Sequence, residues 1–164
     1  MSAYFAALLT RAGDRWSGRN FDMESVDDLD GLVEVLRDAT PDAGLGLFFL
    51  EEDDEYFAIV RVDADSTVDA RIFISDGRAV GSFPLASLVM AEALPVGDDD
   101  DEEEEGARPE VEPIGDADVV ADLGVPAETL LELSTEEGLL PADVITTICE
   151  KAGCADVLER VREE

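Results

Sequence analysis

The sequence predicts an α+β fold. A mainly antiparallel five-stranded sheet carries helices on one face, in the order ββαβββα, and is followed by an acidic linker and a small C-terminal helical bundle. Three observations predict it. Residues 45–77 hold three apolar runs, Leu45–Leu50, Tyr56–Val62 and Ala70–Ser75, parted by the acidic loops Glu51–Glu55 and Asp63–Asp69. Short runs rich in Phe, Ile and Val between Asp and Gly are strand signals. Loops this short favour antiparallel pairing, because a parallel crossover needs a dozen or more residues. Second, Val26, Leu29, Leu32, Val33 and Leu36 recur at three- and four-residue steps, the stripe of one amphipathic helix. Third, Asp98–Glu105 reads DDDDEEEE, a run that repels itself and buries nothing.

In chain order, Ala3–Thr10 is the first strand and Arg15–Met23 the second, joined through the turn-like Ala12-Gly13-Asp14. Trp16, the only tryptophan, reads as a ring packed on the sheet. Ser25 is placed to cap the first helix, with Asp28 imitating a capping box. Asp27, Asp28, Asp30 and Glu34 fall near its start or on its wet side, where the helix dipole favours acids. Thr40-Pro41 stops it, since a residue before proline avoids helical angles. After the three apolar runs, Pro84 opens a second helix, Leu85 to Leu94, with Leu85, Leu88, Val89 and Ala93 as its buried stripe.

The composition divides the chain into a sheet domain (1–95), a disordered acidic linker (96–115) and a small helical module (116–164). In the module, Asp116 caps Ala117–Leu123, Gly124 stops that turn, and Pro126 and Pro141 open two helices. Gly153 ends the second of these, and Ala155–Val161 closes the chain. Its expected core is Val119, Val120, Leu123, Leu130, Leu131, Leu133, Leu140, Val144, Ile145, Ile148, Val157, Leu158 and Val161. Some fifty residues bury little surface alone, so the module is marginal unless it docks on the sheet or on a partner.

Charge is the loudest signal. The 164 residues carry 42 Asp and Glu against 11 Lys and Arg, a net charge of −31. A field of that sign repels phosphate backbones and anionic membranes, so no direct nucleic acid and no membrane is expected as a partner. A basic protein suits it. Solubility in an acid-rich proteome is the blander account. No apolar run approaches a bilayer span, the N-terminus lacks the basic lead of a signal peptide, and two cysteines make no disulfide scaffold. A cytoplasmic setting is the expectation.

Catalytic chemistry is poorly supplied. The chain has no histidine, which removes the commonest general base, the Ser-His and Cys-His pairs and most zinc sites. Cys149 and Cys154 stand five apart, the first on the apolar face of Ile145 and Ile148. Cys154 follows Gly153 and is the better candidate for a reactive thiol, although no cation-rich setting would activate it. Asp63-Ala64-Asp65-Ser66-Thr67-Val68-Asp69 opens like a calcium loop, but Val68 stands where glycine is needed and Ile74 where the bidentate glutamate belongs. Phosphate-cradling glycine motifs and the GxSxG elbow are missing. The reading is therefore no catalytic, cofactor-binding or metal residues, no cofactor, and no enzyme. The sheet domain's bases are all arginine: Arg11, Arg15, Arg19, Arg37, Arg61, Arg71 and Arg78. Arg61 and Arg71 lie on neighbouring strands, either paired with local acids or forming a patch that grips a partner's carboxylates.

Three stretches together carry a resemblance. They are YFAALLTR with the following Trp16, LGLFFLEEDDEYFAIVRVD running into DARIFISDGRAV, and DVVADLGVPAETLLELSTEEGLLPADVITTICEKAG. The chain resembles the tRNA adenosine deaminase-associated proteins of actinobacteria over nearly all its length except the acidic linker. The resemblance implies association with the deaminase, without catalytic residues to carry over. That deaminase uses a zinc-bound water held by His and Cys, with a Glu for proton transfer, and this chain has no such motif. The expected function is a non-catalytic acidic accessory protein that associates with, and regulates, a tRNA adenosine deaminase. The alternative is a nucleic-acid-mimicking inhibitor of another basic protein.

Overall fold

The computed structural model describes residues 4–52, 55–64, 70–76, 88, 113–136 and 139–163. Strand β1 (Tyr4–Ala12) turns through Gly13-Asp14 into β2 (Arg15–Asn20), and Gly13 takes a φ of 65° that suits a residue without Cβ. The second strand stops at Asn20 rather than Met23, because Asp22 caps a 3-10 turn over Met23–Ser25 by accepting from the Glu24 amide at 2.9 Å. Ser25 does not cap the helix that follows. Its hydroxyl donates to the Asp22 carbonyl at 2.7 Å and is spent closing that turn. Asp28 is the cap, accepting from the Gly31 amide at 2.9 Å, and α1 runs Leu29–Ala39.

The meander follows as β3 (Leu45–Glu52), β4 (Tyr56–Asp63) and β5 (Arg71–Ile74). A two-residue strand, β6 (Ile114–Gly115), pairs with β5. The sheet order is β2-β1-β3-β4-β5-β6 and every pairing is antiparallel. The five expected strands and the α+β class are thus present, with β6 added at the edge. Beyond it come a 3-10 turn (Ala121–Leu123) closed by left-handed Gly124, then α2 (Ala127–Thr135), α3 (Pro141–Ala152) and α4 (Ala155–Glu163). Of the second helix expected at Leu85–Leu94, Leu88 alone is described. It is helical and packs beside α1's core. Asp98–Glu105 lies outside the described residues.

Register decides what each face carries. Ala6, Leu8, Phe48, Leu50, Ala58, Val60, Val62, Ile72 and Ile74 form one core with Leu29, Leu32 and Leu36 of α1. Ala7, Leu9, Leu47, Phe49, Phe57, Ile59 and Phe73 point the other way, into a second core with Val119, Val120, Leu130, Val144, Ile145, Ile148, Leu158 and Val161. Helices therefore cover both faces, not the one expected: α1 one, the C-terminal helices the other. Two residues of the expected helical core stay outside it: Leu131, one step round α2 from buried Leu130, and Leu140, just ahead of α3, are exposed at 39% and 48%. All eight residues of β3 and the first seven of β4 are buried, which is why these strands read as continuous apolar runs instead of alternating ones. Two glycines let the layers close. A Cβ on Gly46 would lie 2.5 Å from Thr40 Oγ1 and 2.9 Å from Leu36 Cδ1, at the end of α1. On the other face, a Cβ on Gly18 would lie 2.7 Å from Val157 Cγ1 of α4.

Candidate functional site

Arg61 and Arg71 stand directly opposite each other on β4 and β5, but the carboxylates they grip are this chain's own. Arg61 is only 3% exposed. Its Nη1 donates to Asp122 Oδ1 at 2.6 Å and to the Val119 carbonyl at 2.9 Å, while Nη2 reaches Asp122 Oδ2 at 3.0 Å. Its Nε donates to Asp63 Oδ1 at 2.7 Å. Burial alone would lower the guanidinium's pKa, but the bonds to Asp122 and Asp63 outweigh it and hold the group charged. In return, the hydrogen bond from Arg61 holds the Asp122 carboxyl below its ordinary range. Arg71 Nε donates to Asp116 Oδ2 at 2.7 Å and its Nη2 to the Asp118 carbonyl at 2.9 Å. The pair is a clamp that fixes residues 116–122 across the sheet. It is not a patch for a partner. Asp63, the first acid of the calcium-like stretch, is taken by Arg61; residues 65–69 lie outside the described residues.

Two more contacts fasten the C-terminal helices. Arg162 of α4 pairs with Glu51, a carboxylate only 7% exposed at the end of β3, and stacks 4.3 Å from the centre of the Phe5 ring. Asn20 Nδ2 donates to the Val161 carbonyl at 2.8 Å. Trp16 is half-buried against the same core, with Arg11 5.6 Å from its ring centre. It packs, as expected.

The thiols differ from expectation at one position. Cys154 is not available for reaction: it is 1% exposed, and Cys149 is fully buried. Gly153 takes a φ of 93°, and the Gly153 and Cys154 amides both donate to the Cys149 carbonyl at 2.8 Å. This helix ending folds the residue after the glycine back onto the last turn, so Cys154 joins the core beside Cys149. Hydrogen bonding with Cys154, and then burial, push the Cys149 thiol well up. Both thiols are expected to ignore an aromatic disulfide reagent at pH 8 and to react together once denaturant is added. Fast reaction of one thiol in the folded protein would contradict the burial.

Two helices carry rows of exposed acids. On α1, Asp30, Glu34 and Asp38 are exposed at four-residue steps, and on α2 so are Glu128, Glu132 and the capping residue Glu136. Like charges four apart on a helix oppose each other by about 0.2–0.5 kcal/mol per pair. Among the described residues none of the six has an ion pair. The two rows lie on helices packed on opposite sides of the sheet. Their carboxylates repeat roughly every 6 Å along the axis, at 1.5 Å per residue. The sequence placed Asp30 and Glu34 near the start or on the wet side of α1, but it singled out no row on α2, because 42 acids hide any pattern of three. Among the described residues, no group of three or more His, Cys, Asp or Glu side chains is placed to hold a metal ion. No helix among them is long and apolar enough to cross a membrane. Such a surface can attract cations and basic proteins over distance.

Comparison with known families agrees with the resemblance in the sequence. A family described as Rv3753c-like tRNA adenosine deaminase-associated protein matches residues 4–155, from the first strand to the start of the last helix. The family's name records association with tRNA adenosine deaminase. No curated protein and no solved structure matches the chain.

Proposed function

This chain belongs to the tRNA adenosine deaminase-associated family, and from that premise we propose that it is a non-catalytic accessory protein that binds the deaminase and regulates it. The observation that carries the reading is the pair of exposed acid rows on α1 and α2, without an ion pair among the described residues, on a chain of net charge −31. An enzyme that binds tRNA presents a basic surface, and fields of opposite sign steer the two together and make association salt-sensitive. The protein and its partner meet in the cytoplasm. Where the deaminase uses one face for tRNA and for this protein, the protein inhibits; where it uses two, the protein stabilises or escorts the enzyme.

The six-ångström repeat of carboxylates favours a second reading, a nucleic-acid mimic that blocks some other basic protein. One experiment separates the two. Purified protein is titrated against the tRNA adenosine deaminase of the same organism at low salt and at ~0.3 M, where charges more than about 6 Å apart are largely screened. A variant lacking Asp98–Glu105 and an arm with tRNA are run beside it. The accessory role predicts a complex that weakens with salt but survives both salt and deletion, with tRNA competing only if the faces coincide. A mimic would bind unrelated cationic proteins equally well and release all of them at the higher salt. Absence of any complex at low salt would sink the accessory reading.

A further inference from the structure

We propose that the outer edge of β2 is a docking edge, which takes an extended segment of the partner protein as an added strand and pairs its carboxylates with Arg15 and Arg19. The inference rests on the deaminase being the partner.

Strand β2 ends the sheet, and among the described residues β1 is its only strand neighbour. The Phe21 amide donates to the Ala6 carbonyl at 2.9 Å. In an antiparallel pair, residues alternate between exchanging hydrogen bonds and turning them outward. Arg15, Ser17 and Arg19 therefore share Phe21's phase and bond inward to β1. Trp16 and Gly18 turn their amides and carbonyls to the open side. One face of β2 is covered by α4, close enough that Gly18 has no room for a Cβ. The opposite face presents Arg15, Ser17 and Arg19, all exposed.

The arginines are the second, independent observation. Arg11, Arg61, Arg71 and Arg162 each engage a ring or a carboxylate of this chain. Arg15 and Arg19, in a chain with 42 acids, engage none among the described residues. Four residues apart on one strand face, they stand about 13 Å from each other. A strand laid on the edge brings side chains of the same face into register at the same spacing. Carboxylates at two such positions meet both arginines while the backbones complete the ladder.

The ladder decides between occupants. Phosphates of RNA could neutralise the arginines and accept from the Trp16 and Gly18 amides, but they bring no donor for the two carbonyls, so they cannot complete a ladder, and the −31 field repels them. A second copy would set arginine beside arginine and bring two chains of that charge together. A basic enzyme with a carboxylate-bearing strand avoids both conflicts, since attraction acts at long range and the arginines act at contact. The competing account is that the arginines guard an open edge against unwanted strands.

The test is the double substitution R15E/R19E in the full-length chain, titrated against the deaminase at physiological salt. It makes the chain more acidic, to about −35, so simple attraction to a basic partner predicts tighter binding. Edge docking predicts binding weaker by about tenfold or more. Hydrogen exchange of the Trp16 and Gly18 amides in the unsubstituted chain gives a readout that needs no variant, and docking slows both in the complex. Weaker binding with both amides protected is the expected result. Equal or tighter binding, or weakening without protection, would overturn the docking edge and leave the arginines as guards, with the accessory role intact. Protection of the same amides by tRNA alone would give the site to phosphate and overturn it too. If the unsubstituted chain forms no complex, the accessory role fails first and takes this inference with it.

Discussion

Replacing Arg61 by alanine lowers stability by about 3 kcal/mol, near the bottom of the range for removing one partner of a buried ion pair. The low end applies because Asp122 and Asp63 keep 60% and 33% of their side-chain surface in water and regain hydration when the guanidinium leaves. The loss is still large, since Arg61 itself is 3% exposed and also satisfies the Val119 carbonyl. For a chain of this size that amounts to roughly 10 °C in Tm. Lysine restores the charge but not the fork that meets both oxygens of Asp122, so R61K falls between alanine and the native chain. Urea denaturation at pH 7 checks the order. Alanine and lysine each within about 0.5 kcal/mol of the native chain would mean that the clamp is ornamental.

The same clamp sets an acid limb. The Asp122 carboxyl is held below its ordinary value of 3.8 by the hydrogen bond from Arg61. Its folded pKa lies below its unfolded pKa, so its contribution is fully present above that value and is lost as pH falls through the lowered one. Asp122→Asn keeps the shape and removes the charge. The variant is less stable than the native chain at neutral pH, and the two converge below about pH 4. A gap unchanged down to pH 3 would assign the difference to packing.

The strands were plain in the sequence for a reason that also held the missed feature. Leu45–Leu50 and Tyr56–Val62 show no polar alternation, and a sheet wet on one face would alternate. The runs thus already implied a second helical layer, and residues 119–161, with the expected helix Leu85–Leu94, were the apolar stretches left to supply it. The clamp was half legible. Arg61 and Arg71 were recognisable as neighbours, but Asp116 and Asp122 reach them from some 45 and 61 residues away, a separation that no local period encodes. Cys154 misled because a residue after a helix-ending glycine looks exposed on paper, and only the turn's return onto Cys149 buries it. Ser25 misled because Asp28, read as its capping-box partner, is itself the cap, and the extra turn at Met23–Ser25 takes up the serine. The α1 acids Asp30 and Glu34 were legible from the apolar stripe opposite them, whereas the α2 row Glu128, Glu132 and Glu136 was lost among the chain's 42 acids.

A chain ending at Glu112, without the C-terminal helices, does not hold a folded sheet. Truncation bares Leu9, Leu47, Phe49, Phe57, Ile59 and Phe73, each now almost fully buried on the face those helices cover. At about 1.5–3 kcal/mol per large apolar side chain, their exposure costs roughly 9–18 kcal/mol. A whole domain of this kind is stable by only about 5–15 kcal/mol. The arginines add to the loss, since Arg61 and Arg71 lose Asp122 and Asp116 and Glu51 loses Arg162. The reciprocal piece, residues 113–164, fares no better, because Val119, Val120, Ile145, Ile148 and Val161 rest on the sheet. Either piece alone is expected to aggregate or to lack a cooperative urea transition, and the two expressed together to recover one. A cooperative transition in residues 1–112 alone would show that α1 and the strands suffice. The chain would then be two units in contact, and the acid row on α2 could leave the sheet to meet a partner. A single transition for the whole chain, absent from both pieces, fixes the rows of α1 and α2 on opposite sides of one body. A partner must then approach from one side at a time or wrap the edge between them, and β2 lies at that edge.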